Sequence, residues 1–453
     1  MERYKLLLLV FCISSFVSCK KYLDEIPDPT LAVPNTVADL QALLDSYNVM
    51  NQRFPALAGV MSDDYYVLDR DFNAVTNEAY RNQYYWQPEP NFGNWATIYM
   101  GPIITTNVVL DNIQNVLSEG NKAALDQIYA SALFYRSFYY YCAAQLYTPP
   151  YKQESAATDL GLPLRLNSDF NEVSVRSSVE ETYQQIIKDL QESIPLLPDM
   201  QLLKTRPTKA AAYGTLARVY LTMGDYQNAG RFADLCINAY SPDSLMDYNT
   251  LNASATAPFT RFNKEVIFQS VSQTHTMLAN SRAKIDSSLY QSYGENDLRK
   301  QLFFRNNNNG TYSFKGDYDG RGTSTSFVFG GIALDEMYLI RAETNARQNQ
   351  LSQAMADLNK LLAMRFSNGS FTPLTASTQK EALGYILSER RKELIWRGLR
   401  WTDLRRLKDD PDFSVTPQRN IMGQIYSLTP NSPRYTMLIP PEVINTSGMQ
   451  QNP

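Results

Sequence analysis

A single histidine, His275, stands in 453 residues. Zinc sites that gather imidazoles are excluded on that ground, and four cysteines are too few to replace them. One histidine would suffice for one catalytic triad, but no Gly-x-Ser-x-Gly elbow occurs, so His275 reads as an ordinary loop or strand residue. Two of the cysteines, Cys12 and Cys19, fall near the N-terminus; Cys142 and Cys236 sit in apolar helical patterns. A disulfide scaffold is thereby excluded, and whether Cys142 meets Cys236 stays open at this point. Basic and acidic residues nearly balance, 42 against 46, so a nucleic-acid partner has no electrostatic support. No apolar run reaches the roughly 20 residues that a membrane-crossing helix needs.

The longest such run, Leu6 to Val17, follows Arg3 and Lys5 and ends at Ser18-Cys19. That is the layout of a secretory signal peptide, residues 1–18, and the cysteine at its end is the lipidation position of a lipoprotein signal. Cys19 is then the lipid anchor and the first residue of a mature chain, 19–453, that touches the membrane through its lipid only. Its 435 residues are enough for one large core.

Helical spacing dominates the mature chain. Ile103, Leu110, Ile113 and Leu117 mark one apolar face, and Val179, Tyr183, Ile186, Leu190 and Ile194 another. The second helix opens with the capping box Ser178-x-x-Glu181 and stops at Pro195 and Pro198. Strand-like alternation is confined to short runs such as Glu265 to Ser270. Residues 125–146 are apolar and aromatic on nearly all sides, which predicts a buried helix, with Arg136 paired to a carboxylate or to several carbonyls.

The stretch around Tyr213, Ala217, Ala229 and Ile237 reappears 125 residues later as Tyr338, Ala342, Ala354 and Leu362. Small residues on both helices and Gly224 at the turn predict tetratricopeptide-like helical hairpins. The two units are not tandem, so the chain between them is an insertion carried on one side of the stack. Irregular segments are expected at about 62–94 and 240–331, with an irregular C-terminal region from about 409. Long loops in a compact protein are usually functional. Asp317 and Asp319 in GDYDGRG lack the remaining ligands of a calcium loop and read as a turn. The acidic and basic residues from Glu389 to Arg406 interleave, which predicts structural ion pairs.

Four stretches together resemble the SusD/RagB family across nearly the whole mature chain: CKKYLDEIPD at its start, the aromatic run from Tyr85 to Ile113 with YRSFYYYCAAQLYTPPY and GLPL after it, SERRKELIWRGLRWTDLRRL at 388–407, and the ending LIPPEVINTSGMQQNP. Arg397 departs from the acidic residue expected there, which changes a structural ion pair. The resemblance implies a mainly α fold, a SusD-like α-α superhelix of tetratricopeptide type with loop insertions. It also implies a non-catalytic lipoprotein on the outer membrane, facing outward, that captures oligosaccharide for a SusC-like TonB-dependent transporter. Peptide is the alternative ligand; a glycoside hydrolase, which needs only a carboxyl pair, is the weaker competitor. No cofactor or metal is called for.

A glycan binder needs aromatic faces for the C–H side of sugar rings and polar groups for the hydroxyls. The 62–94 segment contains both. Tyr65, Tyr66, Tyr84 and Trp86 are the candidate platforms, and Asp64 and Arg81 the orienting groups, while Trp86 and Tyr85 are weighed equally as packing residues. The second irregular region offers Tyr290, Tyr293, Phe303 and Tyr312, with Tyr312 carried as a candidate.

Overall fold

The computed structural model describes residues 34–90, 92–118, 121–241, 243–322 and 327–453. Cys19 and the signal segment lie outside them. Helices of seven residues or more are α1 (Val37–Leu44), α2 (Glu78–Tyr84), α3 (Phe92–Ile98), α4 (Ile104–Val116), α5 (Lys122–Tyr147), α6 (Val179–Ser193), α7 (Lys209–Met223), α8 (Tyr226–Tyr240), α9 (Leu334–Arg347), α10 (Leu351–Ala363), α11 (Gln379–Glu393), α12 (Leu399–Arg406) and α13 (Pro441–Ser447). Each of α5 to α10 packs against the next, and α9 also meets α11.

The hairpins form for the reasons their sequence suggests. The capping box of α6 is present, with Ser178 and Glu181 satisfying each other's backbone N–H. Gly224 closes α7 in the left-handed region at φ 78°, and the Asp225 side chain accepts from the Asn228 N–H to open α8. Gly230 sets how closely the two repeat units approach: a Cβ there would lie 2.6 Å from Thr344 Oγ1 on α9. Since α8 packs directly on α9, the intervening residues leave the stack and return to it. Cys142 and Cys236 are both buried and both free thiols.

Among the described residues the sheet content is small, ten strands of two to four residues in five antiparallel pairs. These are β1 (Tyr65–Val67) with β5 (Ala283–Ile285), β2 (Leu160–Pro163) with β3 (Arg176–Ser178), β4 (Val266–Phe268) with β8 (Ile332–Ala333), β6 (Phe304–Asn306) with β7 (Tyr312–Phe314), and the hairpin β9 (Gln418–Ile421) with β10 (Gln424–Ser427). The Glu265 to Ser270 alternation thus becomes β4. The 62–94 segment is less irregular than expected. It contains a short helix, Asp69–Asn73, and α2, which starts where Asn77 accepts from the Tyr80 N–H.

Helix α5 runs through the core, buried from Ala132 to Tyr147. Arg136 is paired as expected: it donates to both Asp189 oxygens at 2.8 and 2.9 Å and to the Leu166 carbonyl at 3.3 Å. A second buried ionic layer ties the hairpins to the C-terminal helices. Arg218 meets Glu336, Arg365 bridges Glu265 and Glu393, Arg299 joins Asp297, Glu389 and Glu393, and Arg397 holds Asp335 at 2.6 Å. The residues around 389–406 are therefore structural ion pairs.

Candidate ligand-binding site

The aromatic segment folds inward around a cation that lies 335 residues away. Arg419, on β9, inserts its guanidinium among Tyr65, Tyr84 and Trp86, at 4.9, 4.3 and 5.1 Å from their rings. It has carbonyls as partners: Nη1 donates to Tyr65, Nη2 to Ser62, and Nε to Tyr84 at 3.3 Å. The polar atoms of the cage are also consumed, since Tyr65 Oη donates to the Val60 carbonyl, Trp86 Nε1 to the Met61 carbonyl, and the Val67 N–H to Tyr84 Oη.

These contacts correct three expectations. Tyr65 and Tyr84 are 1% exposed and Trp86 is fully buried, so none of them offers a ring face to a sugar. Trp86 also holds φ 60°, a left-handed conformation that the surrounding cage must impose. Asp64 is a fourth correction. It is buried and receives Arg391 Nε at 3.2 Å, so it has no orienting role at a surface. Burial raises its carboxyl to about 6, with Arg391 opposing. Burial raises the neighbouring Asp63 too, but the bidentate Arg400 guanidinium at 2.6 and 2.9 Å overrides this and holds Asp63 below the ordinary carboxylate range.

Tyr66, Arg81 and Tyr312 remain part-exposed. Tyr66 lies across from Lys284 in the β1–β5 ladder. Strand β5 packs in turn on β7, where Tyr312 stacks on Tyr290 at 3.6 Å. Tyr293 and Phe303, from the same region, are buried.

The solvent-facing aromatic pair closest in sequence to the cage is Tyr85 with Tyr426. Their rings are 4.6 Å apart, and both are part-exposed. Tyr85 Oη donates to Asn82 Oδ1 at 2.7 Å, Asn82 Nδ2 donates to Glu89 at 2.8 Å, and the charges of Arg81, Glu78 and Glu89 all act on the Tyr85 hydroxyl. Burial is the main cause of the upward shift of that hydroxyl. Two ring faces thus adjoin amide, carboxylate and guanidinium groups, the combination that sugar recognition asks for. Tyr426 was missed in the sequence. The available signal was the Met422-Gly423 turn between two short runs, which marks a hairpin but does not say what it packs on.

The hairpin is fastened over this surface, because the Met422 N–H donates to Asp69 Oδ1 at 2.8 Å. His275 also packs against α2, its ring tilted on Tyr80 with centroids 4.4 Å apart; it accepts the Met277 N–H on Nδ1 and faces Gln83 Oε1 at 3.2 Å with Nε2. The ring is therefore the neutral tautomer protonated on Nε2. Burial pushes its pKa down to about 4 from an ordinary 6.5. The unfolded chain takes up this proton as pH falls through 6.5, the native chain only near 4. Stability is accordingly expected to fall by up to about 3 kcal/mol between those values. One histidine gives one imidazole Hε1 resonance, so proton NMR checks this directly; a midpoint near 6.5 in the folded protein would contradict it.

A glycosidic general acid is a carboxyl of raised proton affinity that faces a cleft and is free to give up its proton. Asp335, raised by burial to about 6, is bound bidentate by Arg397. Glu265, Asp335 and Glu393 come close enough to hold an ion, but Arg365, Arg299 and Arg397 already occupy their oxygens. In GDYDGRG the Asp319 carboxylate receives Arg261 and Gln269, and Asp317 accepts the Asp319 N–H, as in a turn.

Among the described residues no helix is long and apolar enough to cross a membrane. Residues 21–221 match a family described as starch-binding and associating with the outer membrane, and residues 253–453 match the SusD family. A SusD-like protein P2 of Formosa agariphila is 26% identical over 419 residues, covering 79% of each chain. A SusD superfamily structure from Bacteroides thetaiotaomicron covers 92% of this chain and all of its own, at 21% identity and TM-score 0.75. A laminarin binding SusD-like protein covers 92% and 98%, at 18% identity and TM-score 0.62. These likenesses establish the helical fold, and the two matches together span most of the sequence: the chain belongs to the SusD/RagB family.

Proposed function

We propose that the chain is a non-catalytic surface lipoprotein, anchored through Cys19 and folded from 19 to 453 as one domain. It binds oligosaccharide on the Tyr85–Tyr426 shelf and passes it to a SusC-like TonB-dependent transporter in the outer membrane. Family membership supports the role, and the laminarin binding neighbour supports a carbohydrate ligand. The observation that carries the site is the part-exposed ring pair beside Arg81, Asn82 and Glu89. Tyr66 and Tyr312, part-exposed on the β1–β5 and β6–β7 ladders, stay as further candidate contacts.

Anchoring and partnership are tested together. Radiolabelled fatty acid should enter the protein and be absent from Cys19→Ala, and a β-barrel protein should accompany the wild type through detergent extraction. Equal labelling of Cys19→Ala would refute the anchor. Release of the lipidated protein without a barrel would refute the partnership.

A further inference from the structure

Between α3 and α4 the backbone widens into a π-helical turn, Tyr99–Ile103, with Pro102 inside it. Such turns interrupt regular helices and recur at functional sites. Here the turn forms one wall of a slot of about 210 Å³ whose apolar lining includes Trp95, Tyr99, Met100, Phe170 and Val443. An outer groove of about 430 Å³ shares Arg165, Phe170, Ser174 and Val443 with the slot and adds the exposed Asn171 and Thr446.

The outer wall, residues 165–175, is tied down at its base. Arg165 donates to the carbonyls of Glu172 and Asp169, Asn107 Nδ2 donates to those of Arg165 and Asn167, and Arg136 reaches Leu166. So fastened, the wall presents apolar side chains to water: Phe170, Val173 and Val175 are 77%, 66% and 73% exposed, and Met100 opposite them 61%. Exposed apolar surface gathered around a cavity marks an interaction site. Tyr99 lines the slot beside Trp95, the two rings stacked with centroids 4.1 Å apart.

We infer that this groove docks a polypeptide segment that seats one apolar side chain in the slot and carries Lys or Arg beside it. The polar groups of the slot decide against a glycan. Asn107 and Arg165 are spent on the wall, which leaves a sugar's hydroxyls mostly unmet. The rim decides against a lipid surface. Glu172 and Glu442 line the outer groove and are exposed, and Arg165, the cation of the lining, is bound to the Glu172 and Asp169 carbonyls, so the rim repels anionic headgroups and attracts basic side chains. An apolar centre with a polar rim is the ordinary anatomy of a peptide-binding hot spot. This inference goes beyond the glycan site and does not depend on it.

Fluorescence anisotropy on the full chain tests it with three labelled peptides: Lys-Lys-Ser-Phe-Ser-Lys-Lys, the same peptide with Ser for Phe, and the same with Glu for every Lys. The first should bind roughly ten-fold tighter than either control. The Phe170→Ser/Val173→Ser variant, altered only at exposed positions, should lose roughly that factor. Equal binding of the Phe and Ser peptides, preference for the Glu peptide, or unchanged affinity in the double variant would overturn the inference. Self-association of the chain that the double variant abolishes would also overturn it, by assigning the groove to a second copy.

Discussion

Glu393→Ala is expected to lower stability by about 3–5 kcal/mol, the cost of removing one partner from a buried ionic cluster. Glu393 receives Arg365 Nε at 2.7 Å and Arg299 Nη1 at 3.0 Å, and both guanidiniums are wholly buried. Burial would raise the Glu393 carboxyl, yet Arg365 and Arg299 hold it below the ordinary value, so it stays ionised in the fold. Alanine leaves those cations short of an anion in a site that water does not reach. Glu393→Gln keeps the shape and an acceptor and should cost less. Denaturant unfolding measures both; a loss under about 1 kcal/mol for the alanine variant would show the cluster to be redundant.

Arg419→Ala should cost about 3 kcal/mol or more, because buried carbonyls of Ser62, Tyr65 and Tyr84 lose their donor at about 1–3 kcal/mol each. The consequence extends to function. Arg419 pins β9 and, through it, the strand that carries Tyr426, so the variant should also lose ligand affinity and be cut faster by protease within 418–427. Arg419→Lys should not rescue either property, since one ammonium cannot span the donor positions of a planar fork. Full ligand affinity in an Arg419→Ala protein that still folds would separate the hairpin from the site.

The helical scaffold was legible because its signals are local. The Ser178 and Glu181 capping box and the Gly224 turn each span a few residues, the pattern that recurs after 125 residues is internal to each of its two hairpins, and the need to pair Arg136 comes from the apolar helix around it. Arg397 likewise proved to be an ion-pair residue, with Asp335 as its partner. The site was only partly legible. An aromatic segment has the same composition whether its rings face a sugar or an arginine of the same chain, and the arginine here comes 335 residues later. Sequence spacing says nothing about such a contact. The pairing of Tyr85 with Tyr426 is equally non-local, joining α2's C-terminal end to β10. Arg81 is the candidate that stayed beside the shelf, because it shares a short helix with the residues preceding Tyr85.

The central claim is that this surface binds oligosaccharide, and calorimetry of the full chain against a panel of glucans, other polysaccharides and peptides tests it most directly. One glycan class should bind, with affinity reduced about ten-fold or more in Tyr85→Ala and in Tyr426→Ala, and nearly unchanged in Tyr65→Phe, whose ring stays inside the cage. Binding of peptides with no glycan bound, or glycan binding that survives loss of both tyrosines, would contradict the account.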